Sequence, residues 1–218
     1  MHKNIDTIFA LLLEFYKNQE EPSITKLAKL YKNDPFKILL STIISLRTKD
    51  EVTIASSKKL FLVADTPEKI VSLSTDEIEK LIFPAGFYKK KALTIKNISQ
   101  KLIEEYNSRV PESIDELLKF KGVGRKTATL VMIEGFHKNE VCVDTHVHRI
   151  SNRIGLVNTK SPEETETSLK KIVPEKYWIK LNEILVVYGQ KICKPISPLC
   201  STCFINKHCD RINVNKMR

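Results

Sequence analysis

Apolar positions along the chain recur at helical spacing. Ile5, Ile8, Phe9, Leu12 and Tyr16 fall on one face of a helix, and Ile38, Leu39 and Ile43 repeat the pattern further on. Alternation of the β type is nowhere sustained, and glycine is scarce at six residues. Start signals agree with helices. Asp34-Pro35 precedes "FKILLSTIIS", which predicts a cap followed by proline at the first helical position. "STDE" from Ser74 predicts a cap at Ser74 or Thr75 with acids in the first turn. "SIDE" from Ser113 predicts a capping box closed by Glu116, and "SPEE" from Ser161 another start with Pro162 first in the helix. At ordinary helix lengths the chain is an all-α protein of about ten to twelve short helices. No low-complexity linker or fixed-period repeat interrupts it.

Composition changes the picture mainly by pointing to a partner. The chain has 218 residues, 42% of them hydrophobic, enough for a real core in one large domain or two small ones. Lys and Arg number 36 against 26 acids, a net charge of +10, and the pI is about 9.3. Such a balance favours a polyanion, most often nucleic acid, over a merely solvated basic surface. No apolar run approaches the roughly 18 residues of a membrane span. The N-terminal "IDTIFALLLEFY" carries Asp6 and Glu14 and lacks a small-residue cleavage site, so it is expected to be an amphipathic helix, not a signal peptide. Five cysteines without a signal peptide imply a reducing compartment, where thiols bind metals more often than they pair. The expected location is the cytoplasm, at the nucleoid of a prokaryotic cell, with no membrane association.

Candidate chemistry begins at "FKGVGRKTATLVM", Phe120 to Met132. Residues 113–119 and 125–136 read as two helices joined by "KGVG". Gly122 and Gly124 permit positive φ and close backbone approach. The second helix starts with unpaired N–H groups and the positive end of its dipole, where a phosphate fits, and Arg125 and Lys126 add charge. This is a helix–hairpin–helix pattern, although Gly-x-Gly turns also close ordinary helical hairpins. Lys126 has two readings: a phosphate contact, or a nucleophile whose neutral amine attacks a sugar C1′ to form a Schiff base. Asp144 in "VCVDTHVHRI" is a natural N-cap for the helix that follows. It is also the kind of carboxylate that would stabilise oxocarbenium-like charge as a base leaves C1′. The two roles are compatible. His146 and His148, two apart on a helix, do not face one another and are not expected to hold a metal. Cys142 stands alone and is expected to be buried.

The C-terminus carries Cys193-x6-Cys200-x2-Cys203-x5-Cys209, four thiols within seventeen residues. That spacing is a metal signal, with zinc and an iron–sulfur cluster both open and zinc slightly favoured on ligand count alone. Around it lie Lys191, Lys194, Lys207, Arg211, Lys216 and Arg218, against one acid, Asp210.

Taken together, "KGVGRKTA", "VDTHVHRI" and the cysteine spacing resemble the endonuclease III family of helix–hairpin–helix DNA glycosylases, in the form of its archaeal and eukaryotic branch. The likeness extends through "LLSTIISLRTKDEVT" (Leu39 to Thr53) and "AGFYKKKA" (Ala85 to Ala92) and covers nearly the whole chain. It implies two all-α domains flanking a DNA-binding cleft. One would be a six-helix barrel over residues 21–136, with its helix–hairpin–helix at about 113–136. The other would pair residues 1–20 with 137–218. It implies a [4Fe–4S] cluster on Cys193, Cys200, Cys203 and Cys209 within the loop 193–209, in place of zinc. Lys126 matches the family's Schiff-base lysine and Asp144 its catalytic aspartate. Gly122, Gly124 and Arg125 would grip the DNA backbone, and His146 joins the DNA contacts. Phe87 falls where the family places an apolar wedge, with ordinary core as the alternative. Lys91 is a candidate phosphate contact, with a solvated face as the alternative. Arg47 departs from the glutamine usual in the family's "S-x-Q-T-K-D" segment. A guanidinium donates five hydrogen bonds and accepts none, so it would meet an orphaned base differently. The expected enzyme is a monomeric, bifunctional DNA glycosylase and abasic-site lyase acting on double-stranded DNA with oxidised pyrimidines or abasic sites. A monofunctional mismatch thymine or uracil glycosylase and a non-catalytic DNA-binding protein are the rivals.

Overall fold

The computed structural model describes residues 4–218; Met1 to Lys3, at the start of the expected domain 1–20, lie outside the described residues. Among the described residues there are twelve α-helices, two short 3-10 turns and no strand. No described helix is long and apolar enough to cross a membrane. The chain divides into two compact units, Glu21–Lys138 and the first twenty residues with Asn139–Arg218.

The unit Glu21–Lys138 holds α2 (Ser23–Leu30), α3 (Pro35–Ser45), α4 (Asp50–Val63), α5 (Pro67–Ser72), α6 (Thr75–Ile82), α7 (Tyr88–Tyr106), α8 (Ile114–Leu118) and α9 (Arg125–Phe136). Six of these have eight residues or more; α5 and α8 are single-turn pieces. Helix α3 is the axis of the unit. Its start is secured as the residues predict: Asp34 accepts from the N–H groups of Phe36 and Lys37, with Pro35 first in the helix. It is then buried on every side, through Phe36 and Ile38 to Ile44, against α2, α4, α7 and α9. A helix with no polar face belongs in the middle of its unit. At α6 the cap is Ser74, in a full capping box with Glu77. At α8 only half of the predicted box forms. Ser113 accepts from Glu116 N, but the Glu116 carboxylate turns to Tyr106 Oη (2.9 Å) and Lys119 Nζ (2.5 Å). A charge-assisted pair outcompetes the neutral N–H.

The other unit holds α1 (Ile5–Lys17), α10 (Thr145–Ile154), α11 (Pro162–Ile172) and α12 (Trp178–Lys191). Helix α1 is amphipathic as its pattern predicts. It buries Ile8, Phe9 and Leu12, and Phe9 stacks on Tyr177 with ring centroids 4.5 Å apart. Helices α10 and α12 approach closely at Gly189, where an added Cβ would meet His146 Nδ1 at 2.5 Å and Ile150 Cδ1 at 2.9 Å. The segment after Cys209 folds back over the end of α10, with Asp210 N donating to Ile154 O and Ile212 N to Arg153 O.

Candidate nucleic-acid interface and active site

In the first unit the two glycines of the hairpin serve different ends. Gly122 has φ +93°, and a Cβ there would meet Thr94 Cγ2 at 2.8 Å, so the turn requires glycine twice over. Gly124 is the N-cap of α9 in extended backbone, with nothing within 4 Å of the space a Cβ would fill. No side chain caps α9, and its first turn carries no acid. Arg125 is exposed and Lys126 half-buried, first and second in the helix. The result is the positive end of a helix dipole on an open, uncapped backbone, with two cations beside it. That arrangement suits an anion.

A second group of residues converges in the same unit. Arg47 lies just past the end of α3 with φ +52°, and Phe87 just before α7 with φ +56°, both in the left-handed region that non-glycine residues avoid. Both are exposed, and the Arg47 guanidinium carbon stands 5.6 Å from the centre of the Phe87 ring, a cation–π pair. Phe87, 58% exposed, is therefore no core residue. Gly86 fits because a Cβ would collide with the Arg47 carbonyl oxygen. Lys91 is the correction. The sequence offered it as a phosphate contact or a solvated cation, but it is buried, 6% exposed. Its ammonium faces inward onto Ile44 O (2.7 Å), Leu46 O (2.5 Å) and Thr48 Oγ1 (2.8 Å). Three protein acceptors match its three hydrogens, and none is left for a phosphate. Burial pushes its pKa down to about 8, while the three acceptors favour the charged form.

In the second unit Asp144 is the N-cap of α10 and only 9% exposed. Its Oδ1 accepts from the N–H groups of His146 (2.8 Å) and Val147 (2.9 Å). His146, half-buried, meets Arg149 Nη2 at 3.2 Å through Nδ1, whereas His148 Nδ1 pairs with Thr165 Oγ1 at 2.7 Å. The two histidines thus serve different partners. Cys142 is buried as expected, and its carbonyl accepts from Asn182 Nδ2.

Cys193, Cys200, Cys203 and Cys209 line one cavity, together with Tyr188, Arg153, Leu199 and Val214. All are free thiols. Arg153 Nη1 lies 3.3 Å from Cys193 Sγ, and Tyr188 Oη 2.9 Å from Cys203 Sγ. Arg153 and Arg149 further bind the carbonyls of Lys194, Pro195 and Cys193. Burial pushes the Cys193 thiol up, opposed by the Arg153 guanidinium, which favours the thiolate. Among the described residues no group of three or more His, Cys, Asp or Glu closes around a metal ion. In donor chemistry, four thiols around a shared cavity, with Arg153 donating to one sulfur, fit a sulfur-ligated metal site.

Several participants were not visible as such in the chain. Thr48, Gly86, Arg149, Arg153 and Tyr188 act through contacts made only by folding. The i, i+4 spacing of Arg149 and Arg153 was the one local hint.

Residues 40–175 match the family described as HhH-GPD superfamily base excision DNA repair protein. The chain is 50% identical over 179 residues to Endonuclease III of Thermotoga maritima, covering 82% of this chain and 84% of that protein. Among solved structures it is similar to a non-covalent Endonuclease III–DNA complex, at TM-score 0.82 and 29% identity, covering 97% of each chain. It is also similar to a trapped Endonuclease III–DNA covalent intermediate, the estranged-adenine complex, at TM-score 0.76 and 32% identity, covering 86% of this chain and 92% of that one. An all-helical enzyme of the base-excision class is thereby defined. Within that HhH-GPD superfamily, the chain belongs to the endonuclease III family.

Proposed function

We propose that this DNA glycosylase of base excision repair is bifunctional, removing oxidised pyrimidines and then cutting the strand 3′ to the abasic site. The observation that carries the reading is the start of α9: an uncapped helix N-terminus behind two differently constrained glycines, with Lys126 second in the helix. Backbone N–H groups there, with Arg125, hold a phosphate of double-stranded DNA. Arg47, Phe87 and His146 add contacts, and a damaged nucleotide flips out at a cost of a few kcal/mol, least where pairing is already weak.

Lys126 Nζ attacks C1′. The C1′–N bond breaks, its electron pair leaves with the base, and Asp144 stabilises the positive charge that develops at the sugar. The ring opens as O4′ takes a proton, leaving a Schiff base between Nζ and C1′. Loss of a 2′ proton then expels the 3′ phosphate by β-elimination, and hydrolysis of the Schiff base frees the lysine. Water is not the nucleophile in base removal. The common role of Lys126 and Asp144 is supported by the family match together with the chemistry each helix start offers.

A [4Fe–4S] cluster would be held by Cys193, Cys200, Cys203 and Cys209. When bound it would supply a structural cross-link for the C-terminal loop. Arg153 would offset negative charge at the Cys193 sulfur, and the Tyr188 hydroxyl would help to orient that of Cys203. A brown protein with broad visible absorption is expected, whereas a zinc protein is colourless. The chain would act as a monomer in the cytoplasm, on chromosomal DNA.

The test is borohydride trapping on duplexes bearing thymine glycol, uracil or an abasic site. Wild type forms a covalent adduct and Lys126→Ala does not. Base release without any adduct would instead mark a monofunctional glycosylase, and an adduct formed by the mutant would reassign the nucleophile.

A further inference from the structure

We propose that Lys91 is a positioning residue: its buried ammonium locks together the turn carrying Arg47 and the turn carrying Phe87, so that both side chains are presented before DNA arrives. The inference rests on the reading of Arg47 and Phe87 as DNA contacts. Geometry is its source. Lys91 lies one turn into α7, four residues after Phe87, and its backbone N–H donates to Phe87 O. Its ammonium holds the residues on either side of Arg47, Leu46 through the carbonyl and Thr48 through the hydroxyl. The third bond, to Ile44 O, closes the negative end of α3.

Thr48 Oγ1 is the hub of the arrangement. It accepts from Lys91 Nζ at 2.8 Å and from Gly86 N at 3.0 Å. The Gly86 backbone packs so closely on the Arg47 carbonyl that no side chain fits between them. Two strained turns are thus joined by a glycine contact, a shared hydroxyl and a buried cation. Neither left-handed residue is glycine, and such conformations persist only where the surroundings over-determine them.

The chemistry of Lys91 fits positioning better than core packing. An apolar side chain of equal length would fill the space without burying an ammonium, which is costly. It would also leave the Ile44 carbonyl without the ammonium donor and the Leu46 carbonyl with only the longer bond from Thr48 Oγ1 (3.3 Å). What the ammonium alone supplies is a three-point anchor on the loop that bears Arg47. Ordering exposed side chains in advance removes part of the entropy lost on binding.

The experiment uses the holoenzyme and a duplex in which 2-aminopurine lies opposite a tetrahydrofuran abasic analogue. The fluorescence of 2-aminopurine reports unstacking of the opposite base. Lys91→Met should weaken binding of this duplex by about tenfold and reduce the fluorescence rise, while undamaged duplex binds within about twofold of wild type. In an Arg47→Ala, Phe87→Ala background the same substitution should add little, because the residues through which it acts are gone. Thr48→Val, which removes the hub without opening a cavity, should reproduce the pattern. It decides the matter if Lys91→Met fails to fold. Full additivity in the double-mutant cycle, or unchanged damage binding by folded Lys91→Met or Thr48→Val, overturns the proposal. If Arg47→Ala, Phe87→Ala itself binds the damaged duplex like wild type, the contact reading falls first and the proposal with it.

Discussion

Helix α9 begins at Gly124 with no side chain to cap it, while α10 begins at Asp144, whose Oδ1 accepts from two backbone N–H groups. Both helices present the positive end of a dipole. At α10 the anion is built into the protein and nearly buried. At α9 the position is filled by a glycine with open space around it. The difference teaches how one helical scaffold can supply two electrostatic roles. A capped start holds a carboxylate in place, and an uncapped start receives a charge from outside. A side-chain cap in place of Gly124 would add roughly a few tenths of a kcal/mol, stability that the chain forgoes where the proposed function needs an exposed backbone.

The strongest way to break the comparison is at Lys126. Lys126→Ala should lower strand cleavage by about a thousandfold or more, as removal of a nucleophile does, with damaged-duplex affinity changed far less. Cleavage and affinity falling in parallel would make Lys126 a phosphate contact only. Next comes Asp144. Asparagine keeps the cap and removes the charge, so Asp144→Asn should cut base release about a hundredfold while stability in urea stays within about 0.5 kcal/mol. Asp144→Ala should match that catalytic loss and cost a further 1 kcal/mol or so of stability. Full turnover by the asparagine variant would leave Asp144 as a cap alone.

The two hairpin glycines sharpen the contrast within α9 itself. Gly122→Ala meets both positive φ and Thr94, and should destabilise by about 1–3 kcal/mol. Gly124→Ala has room and an ordinary φ. It should cost under about 1 kcal/mol yet weaken DNA binding, because a methyl group now covers the approach to the helix start. Equal stability losses at the two positions would show that both glycines serve the turn alone.

The last comparison is a proton balance at Lys91, whose pKa is about 8 in the folded unit and about 10.4 in an unfolded chain. Between those values the unfolded chain carries the extra proton, so the contribution of this group to stability rises with pH. The stability of wild type relative to Lys91→Met should therefore shift toward wild type between pH of about 8 and 10. A difference that stays flat would mean that the acceptors keep the ammonium charged throughout.

Much of the helical framework was legible because its signals are local. Asp34-Pro35, Ser74 with Glu77, and Ser161-Pro162 each specify a helix start within four residues. The box expected at Ser113 was half right, because Glu116 pairs instead with Lys119 three residues on and with Tyr106, which reaches it only once α7 and α8 come together. Arg47 and Phe87 stood out as candidates by resemblance, but their pairing depends on residues about forty positions apart in the chain. Lys91 was misread for the same reason. A lysine in "YKKKA" looks solvated until α3 supplies the carbonyls that turn it inward.

By itself the sequence determined the helical class, the hairpin with its two glycines, the carboxylate at the start of α10 and the four-thiol spacing. Each is a matter of residue type and short-range geometry, set by φ preferences, capping and the 3.6-residue period. Only the tertiary structure decided which cations face solvent and which are buried, and that two left-handed turns meet across α3 and α7. Desolvation and hydrogen-bond partnership depend on what lies across the core, and no local pattern carries that information.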